Sequence, residues 1–177
     1  MKKSLHELIA NIPDYPKPGI LFKDISPVQR YKHKEMITAM LDLISAEELA
    51  HIDVFIGLEA RGFALASAMA DRMDKGFVMV RKEGSKFPNV AARMVYDLEY
   101  GKGSAIVMQA GEGNAFIIDD VLATGGTLKA AADLAQQVGY TVKGMATFLN
   151  LKHLNNFEWN GMKCRSVLDY DDHGLVE

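Results

Sequence analysis

Three short apolar runs constrain this chain more than any other feature: "DVFIG" from residue 53, "FVMV" from 77 and "AFIID" from 115. Each is too short for a helix and reads as a strand buried on both faces. Between the first two lies "GFALASAMADRM", rich in alanine and leucine. After the third, Leu128, Ala131, Ala132, Ala135 and Val138 recur at helical spacing before Gly139. "TVKGMATFLNL", from 141, supplies a further strand. Strands alternating with helices predict an α/β fold: a central parallel sheet flanked by helices, with right-handed crossovers and a ligand site at the carboxyl ends of the strands. Upstream, Met36, Ile37, Met40, Leu41, Ile44 and Leu49 predict a helix over 33–50. A short helix is expected over 4–11, and "IPDYPKPG" then forces an extended, turning connector or lid. The 177 residues, 49% of them hydrophobic, suit one domain with a real core and are too few for two.

Composition narrows the function classes. A net charge of −3 lacks the basic excess that nucleic-acid backbones demand, so no nucleic-acid partner is expected. The one cysteine, Cys164, cannot close an internal disulfide, and no Asn-x-Ser/Thr sequon occurs. "MKKSLHELIA" has no apolar run of signal length, and no stretch approaches the roughly 20 apolar residues of a membrane span. A cytoplasmic protein without membrane contact is the expectation. The five histidines show no metal-ligand spacing, the ten methionines read as core filling, and "DYDDHG" (169–174) reads as an exposed tail.

The chemistry concentrates in "FIIDDVLATGGT", residues 116–127, where a strand meets two adjacent carboxylates and then small residues entering a helix near Thr127. Gly125 and Gly126 permit positive φ and close approach of backbone to a ligand, and the N–H groups of a helix start favour an anion. Thr124 and Thr127 add hydroxyl donors. The loop is not a Walker loop, because no lysine follows the glycines, and it lacks the G-x-G-x-x-G of a dinucleotide turn. It suits one terminal monophosphate. Phosphate repels carboxylate, so Asp119 and Asp120 call for hydroxyls at the other end of the ligand, as in a ribose 5-phosphate. An acidic turn with an ordinary N-cap is the bland alternative.

This segment resembles the 5-phosphoribosyl-1-pyrophosphate (PRPP) signature of the type I phosphoribosyltransferases. "IPDYPKPGILFKDISPV" (12–28), "GLEARGF" (57–63), "VRKEGSKFP" (80–88) and "YDLEYG" (96–101) resemble the adenine branch of that family, in order and at nearly its spacing, over roughly residues 1–150. The basic segment holds one residue more than the usual pattern before Lys86, and Lys23 stands where relatives commonly carry arginine. The resemblance implies the type I fold with a small N-terminal hood (about 1–30) and a flexible catalytic loop (about 82–100). The implied reaction is adenine plus PRPP to AMP plus pyrophosphate with Mg²⁺, in a homodimer.

Site residues follow from the same resemblance. PRPP or AMP would be held by Asp119, Asp120, Ala123, Thr124, Gly125, Gly126, Thr127, Arg61, Arg81, Lys82 and Tyr100, with Lys86 as a further pyrophosphate contact. A strained, cis peptide is implied in "LEARG". Leu21, Phe22 and Lys23 would face adenine, and Glu99 would handle the purine proton. Arg93 completes a basic cluster whose alternative is a solvated loop. No metal ligand is assigned to the protein. Two other readings stay open: a transferase for xanthine or hypoxanthine, and a PRPP-sensing regulator on the same fold.

Overall fold

The computed structural model describes residues 4–98, 101–171 and 174–176. The elements run β1 (Ala10–Pro13), β2 (Leu21–Asp24), α1 (Ser26–Leu41), α2 (Ala46–Ala50), β3 (Val54–Leu58), α3 (Arg61–Met73), β4 (Gly76–Lys82), β5 (Val90–Leu98), β6 (Gly101–Gln109), β7 (Gly113–Leu122), α4 (Gly126–Gln137), β8 (Tyr140–Leu151), β9 (Glu158–Trp159), β10 (Met162–Lys163), β11 (Arg165–Asp171) and β12 (Gly174–Val176). Among the described residues, eight strands form one sheet in the order β12-β11-β8-β7-β3-β4-β6-β5. Its centre, β11-β8-β7-β3-β4, is parallel, while β6, β5 and β12 join antiparallel. The α/β fold with a flanked parallel sheet is therefore as the sequence predicts.

Along β7 successive side chains take opposite faces, as strand geometry requires. Ala115 and Ile117 enter a core with Leu128, Ala131 and Leu134 of α4. Phe116 and Ile118 enter the other, with Leu65 and Met69 of α3 and Met36 and Met40 of α1. A fully buried side chain of this kind stabilises by roughly 1.5–3 kcal/mol relative to exposure. Helices on both faces thus pin β7, and with it the residues that follow, at the middle of the molecule.

Four expectations need correction. The helix expected over 33–50 is two helices: α1 starts at Ser26, with proline in its first turn, and the chain leaves the helix over 42–45. Ser45 then opens α2 with a capping box, its hydroxyl accepting from Glu48 N at 3.2 Å while Glu48 Oε2 accepts from Ser45 N at 2.9 Å. Over 4–11 there is a single 3₁₀ turn, His6–Leu8, because Ala10–Pro13 pairs as β1 with β2. Of the two glycines of the loop, Gly125 takes positive φ, +87°, whereas Gly126 is already the first residue of α4 and does not. As far as Asp171, the acidic segment is not an exposed tail: Asp169 to Asp171 end β11, parallel to β8, with Tyr170 only 6% exposed.

Candidate functional site

β7 delivers Asp119 and Asp120 at the carboxyl edge of the sheet and runs two residues further before turning into α4. Asp120 is buried, 4% exposed, and Asp119 half-buried. Asp119 Oδ1 accepts from the backbone N–H of Asp120 at 2.9 Å. Burial pushes the Asp119 carboxyl well above the ordinary range, and the neighbouring Asp120 charge pushes it further. Burial also raises Asp120, opposed by the Arg61 guanidinium. Arg61 Nε lies 2.9 Å from Asp120 Oδ2, but off the N–H direction, so this buried oxygen has no hydrogen-bond donor. An acceptor in that state suits a ligand hydroxyl.

Arg61 opens α3 directly after the cis peptide Glu59–Ala60. Its guanidinium sits over the Phe22 ring, 5.0 Å from the centroid, so β2 and the paired acids meet at one side chain. Gly62 is there because nothing larger fits: a Cβ would lie 2.8 Å from the Ile118 carbonyl and 3.0 Å from Asp119 Oδ1. Of the base-facing residues named from sequence, Phe22 packs edge-on against Tyr15 at 5.1 Å and Leu21 is exposed. Lys23 turns elsewhere, its Nζ donating to Asn11 Oδ1 at 2.7 Å and lying 4.6 Å from the Tyr170 ring centre.

The loop Ala123–Gly125 joins β7 to α4. Gly125 is the N-cap, with φ +87° and no side chain to cap the helix, which leaves first-turn N–H groups for an anion. Thr127 is engaged by the Tyr96 hydroxyl of β5, whose own pKa burial raises. Beside the loop a cleft of about 360 Å³ is lined by Thr124, Gly125, Gly126, Lys129, Asn155 and Phe157. A second cavity, about 270 Å³, lies against Glu48, His51 and Lys143 near the amino ends of β7 and β8, away from the acids.

The basic segment is organised by a residue that sequence reasoning quoted but did not single out. Glu59 Oε2 accepts from Lys82 N at 2.9 Å, Ser85 Oγ at 3.1 Å and Arg81 Nε at 3.2 Å. Burial alone would raise its carboxyl, yet these donors bring it below the ordinary value. Arg81 also donates to the Lys86 carbonyl at 3.4 Å and sits 5.6 Å from the Phe87 ring centre. The Lys82 and Lys86 side chains are exposed, and Arg93 is turned to an exposed ion pair with Glu83, Nη2 to Oε2 2.8 Å. Glu59, itself the first residue of the cis peptide, carries no sequence mark of the partner it will take 22 residues on. Glu99 and Tyr100 lie outside the described residues. Among the described residues, no group of three or more His, Cys, Asp or Glu side chains is placed to hold a metal ion, and no helix is long and apolar enough to cross a membrane.

Comparison with known proteins agrees with this geometry. A family model described as "Phosphoribosyl transferase domain" matches residues 29–158. The adenine phosphoribosyltransferase of Hydrogenovibrio crunogenus (strain DSM 25203 / XCL-2) is 52% identical over 169 residues, covering 95% of this chain and 97% of that one. The crystal structure of adenine phosphoribosyltransferase from Rhodothermus marinus DSM 4252 superposes with a TM-score of 0.79 at 36% identity, over 93% of this chain and 96% of that one. The enzyme from Giardia lamblia, complexed with 9-deazaadenine, superposes with a TM-score of 0.80 at 30% identity, over 93% and 95%.

Proposed function

The chain belongs to the phosphoribosyltransferase family, and from that premise we propose that it acts as an adenine phosphoribosyltransferase, converting adenine and PRPP to AMP and pyrophosphate in purine salvage. The observation that carries the reading is the run from the paired acids to the helix start: a buried carboxylate oxygen without a donor at the end of β7, and at the start of α4 N–H groups without a side-chain cap. Hydroxyls satisfy the first and a phosphate the second.

In the reaction the bond from the anomeric carbon to pyrophosphate breaks, adenine N9 bonds to that carbon, and the N9 proton leaves. Asp119 and Asp120 accept from the ribose hydroxyls and fix the sugar. Backbone groups from Ala123 to Thr127, with the Thr124 and Thr127 hydroxyls, take the 5-phosphate. Arg61, Arg81, Lys82 and Lys86 face the leaving pyrophosphate, which departs with several negative charges and needs cations to receive it. Phe22 offers a face for the purine, between Leu21 and Lys23. Glu99, with Tyr100 next to it in the sequence, would handle the purine proton, the role its family motif implies, and closure of the 82–100 segment would keep water from the oxocarbenium-like centre. The N-terminal hairpin serves as the hood.

Mg²⁺ fits the donor set in kind, since Asp119 and Asp120 present hard carboxylate oxygens and Asp120 Oδ2 has no hydrogen-bond donor. They would hold it together with sugar and pyrophosphate oxygens, which supply most of the ligands, and it would neutralise charge on the departing pyrophosphate. A homodimer working in the cytoplasm completes the reading. Steady-state turnover of PRPP with adenine, hypoxanthine and xanthine in parallel tests it. Adenine should be used with kcat/KM far above the other two; preference for an oxopurine would move the activity to another base, and no turnover at all would leave a binding protein.

A further inference from the structure

β8 runs off the carboxyl edge of the sheet into residues 152–158, which lie outside every phosphate-binding motif, yet this segment is tied to the phosphate loop through half-buried Asn155. Asn155 Nδ2 donates to the Ala123 carbonyl at 2.7 Å and lies 3.0 Å from the Leu151 carbonyl and 3.1 Å from Asn150 Oδ1. Its Oδ1 accepts from the backbone N–H of Phe157 at 3.1 Å. With oxygens around the amide nitrogen and an N–H at the amide oxygen, only one orientation of the side chain satisfies both ends. The tie continues across the sheet edge: Asn150 Nδ2 donates to Asp169 Oδ1 at 3.0 Å, and Lys152 Nζ lies 2.7 Å from Asp169 Oδ2. Phe157 stands directly behind Gly125, where a Cβ would meet its ring at 2.2 Å.

The consequence lies in the peptide plane. In a trans peptide the carbonyl and the next N–H point to opposite sides. Holding the Ala123 carbonyl toward Asn155 therefore aims the Thr124 N–H away from it, and the Phe157 ring keeps Gly125 from swinging back. We propose that Asn155, with Phe157 behind it, is a positioning residue that sets the 123–125 loop for the 5-phosphate while touching no substrate atom itself. The proposal rests on the phosphoribosyl-transfer reading above and adds that phosphate affinity is controlled from outside the motif.

The test compares AMP with adenosine, because the ratio of their affinities isolates the phosphate. Asn155→Asp keeps the shape and the Phe157 contact but turns a carboxylate oxygen toward the Ala123 carbonyl. By calorimetry, AMP should bind roughly tenfold more weakly and adenosine unchanged, the scale of one lost hydrogen bond. In steady state KM for PRPP should rise while kcat and KM for adenine stay put. An unchanged AMP-to-adenosine ratio, or equal weakening of both ligands, would overturn the proposal by making Asn155 merely structural. If Asn155→Asp does not fold, Phe157→Leu serves: it should lower the ratio by a smaller factor, and a wild-type ratio in that folded variant overturns the idea equally. Failure of the wild-type protein to prefer AMP over adenosine would instead count against the parent reading, and the proposal would fall with it.

Discussion

The two halves of the site are built in opposite ways. The proposed ribose-phosphate side, Asp119 to Thr127, is continuous in sequence, begins on the central strand β7 between two cores, and holds carboxyl groups that burial pushes up. The proposed pyrophosphate side, Arg81 to Lys86, runs from the end of β4 toward the β5–β6 edge of the sheet and is fixed by hydrogen bonds to the Glu59 side chain, whose carboxyl those bonds pull down. One half is held by the core at the expense of its charges; the other is held by its charges. The pH dependence has opposite sign in the two. Asp119, with its folded value raised, binds more protons native than unfolded above pH 3.8, so its stabilisation is present at low pH and is lost as pH rises through the folded value. Glu59, with its folded value lowered, stabilises above its ordinary value of 4.5 and loses that contribution as pH falls.

Breaking the ribose-phosphate half should give the largest effect. Gly125→Val places a β-branched residue at φ +87° with its Cβ 2.2 Å from the Phe157 ring. The backbone strain and the overpacking together should cost about 2–5 kcal/mol, and PRPP turnover should vanish. Thermal unfolding with an activity assay checks this; a variant with wild-type activity would contradict the cradle. Next comes Asp119→Asn. It should weaken PRPP binding roughly 10–100-fold, the range for a hydrogen bond to a charged group, yet raise the Tm of the ligand-free protein at neutral pH by removing a buried like-charge neighbour of Asp120. A lowered Tm would show that the acids pack rather than wait for a ligand.

The pyrophosphate half should respond more gently. Glu59→Gln retains the shape and loses the charge that gathers Arg81, Lys82 and Ser85, so inhibition by pyrophosphate should weaken several-fold, on the order of one hydrogen bond. Smallest of all, Arg93→Ala removes one partner of an exposed pair with Glu83, and kcat/KM should stay within about twofold, as for most surface ion pairs. A larger loss would bring Arg93 back among the pyrophosphate ligands.

The same division governs what the sequence could disclose. The cradle and the central strands were legible because their parts are neighbours in the chain: Asp119 to Thr127 is one uninterrupted run, and buried parallel strands are short apolar runs. The start of α1 was missed because Ser26-Pro27 marks a helix by its first turn rather than by apolar periodicity. The end of β11 was missed because its outward aspartates hide the inward Tyr170. Glu59 with Arg81, Arg61 with Asp120 and Asn155 with Ala123 meet only after folding, and no local pattern announces a partner so far away.

The most direct measurement is a paired titration, without Mg²⁺, of ribose 5-phosphate and pyrophosphate, the two halves of PRPP, into Asp119→Asn and Glu59→Gln. Asp119→Asn should lose affinity for ribose 5-phosphate and keep pyrophosphate, while Glu59→Gln should do the reverse. Equal loss of both ligands in either folded variant would contradict a site built from two separable halves.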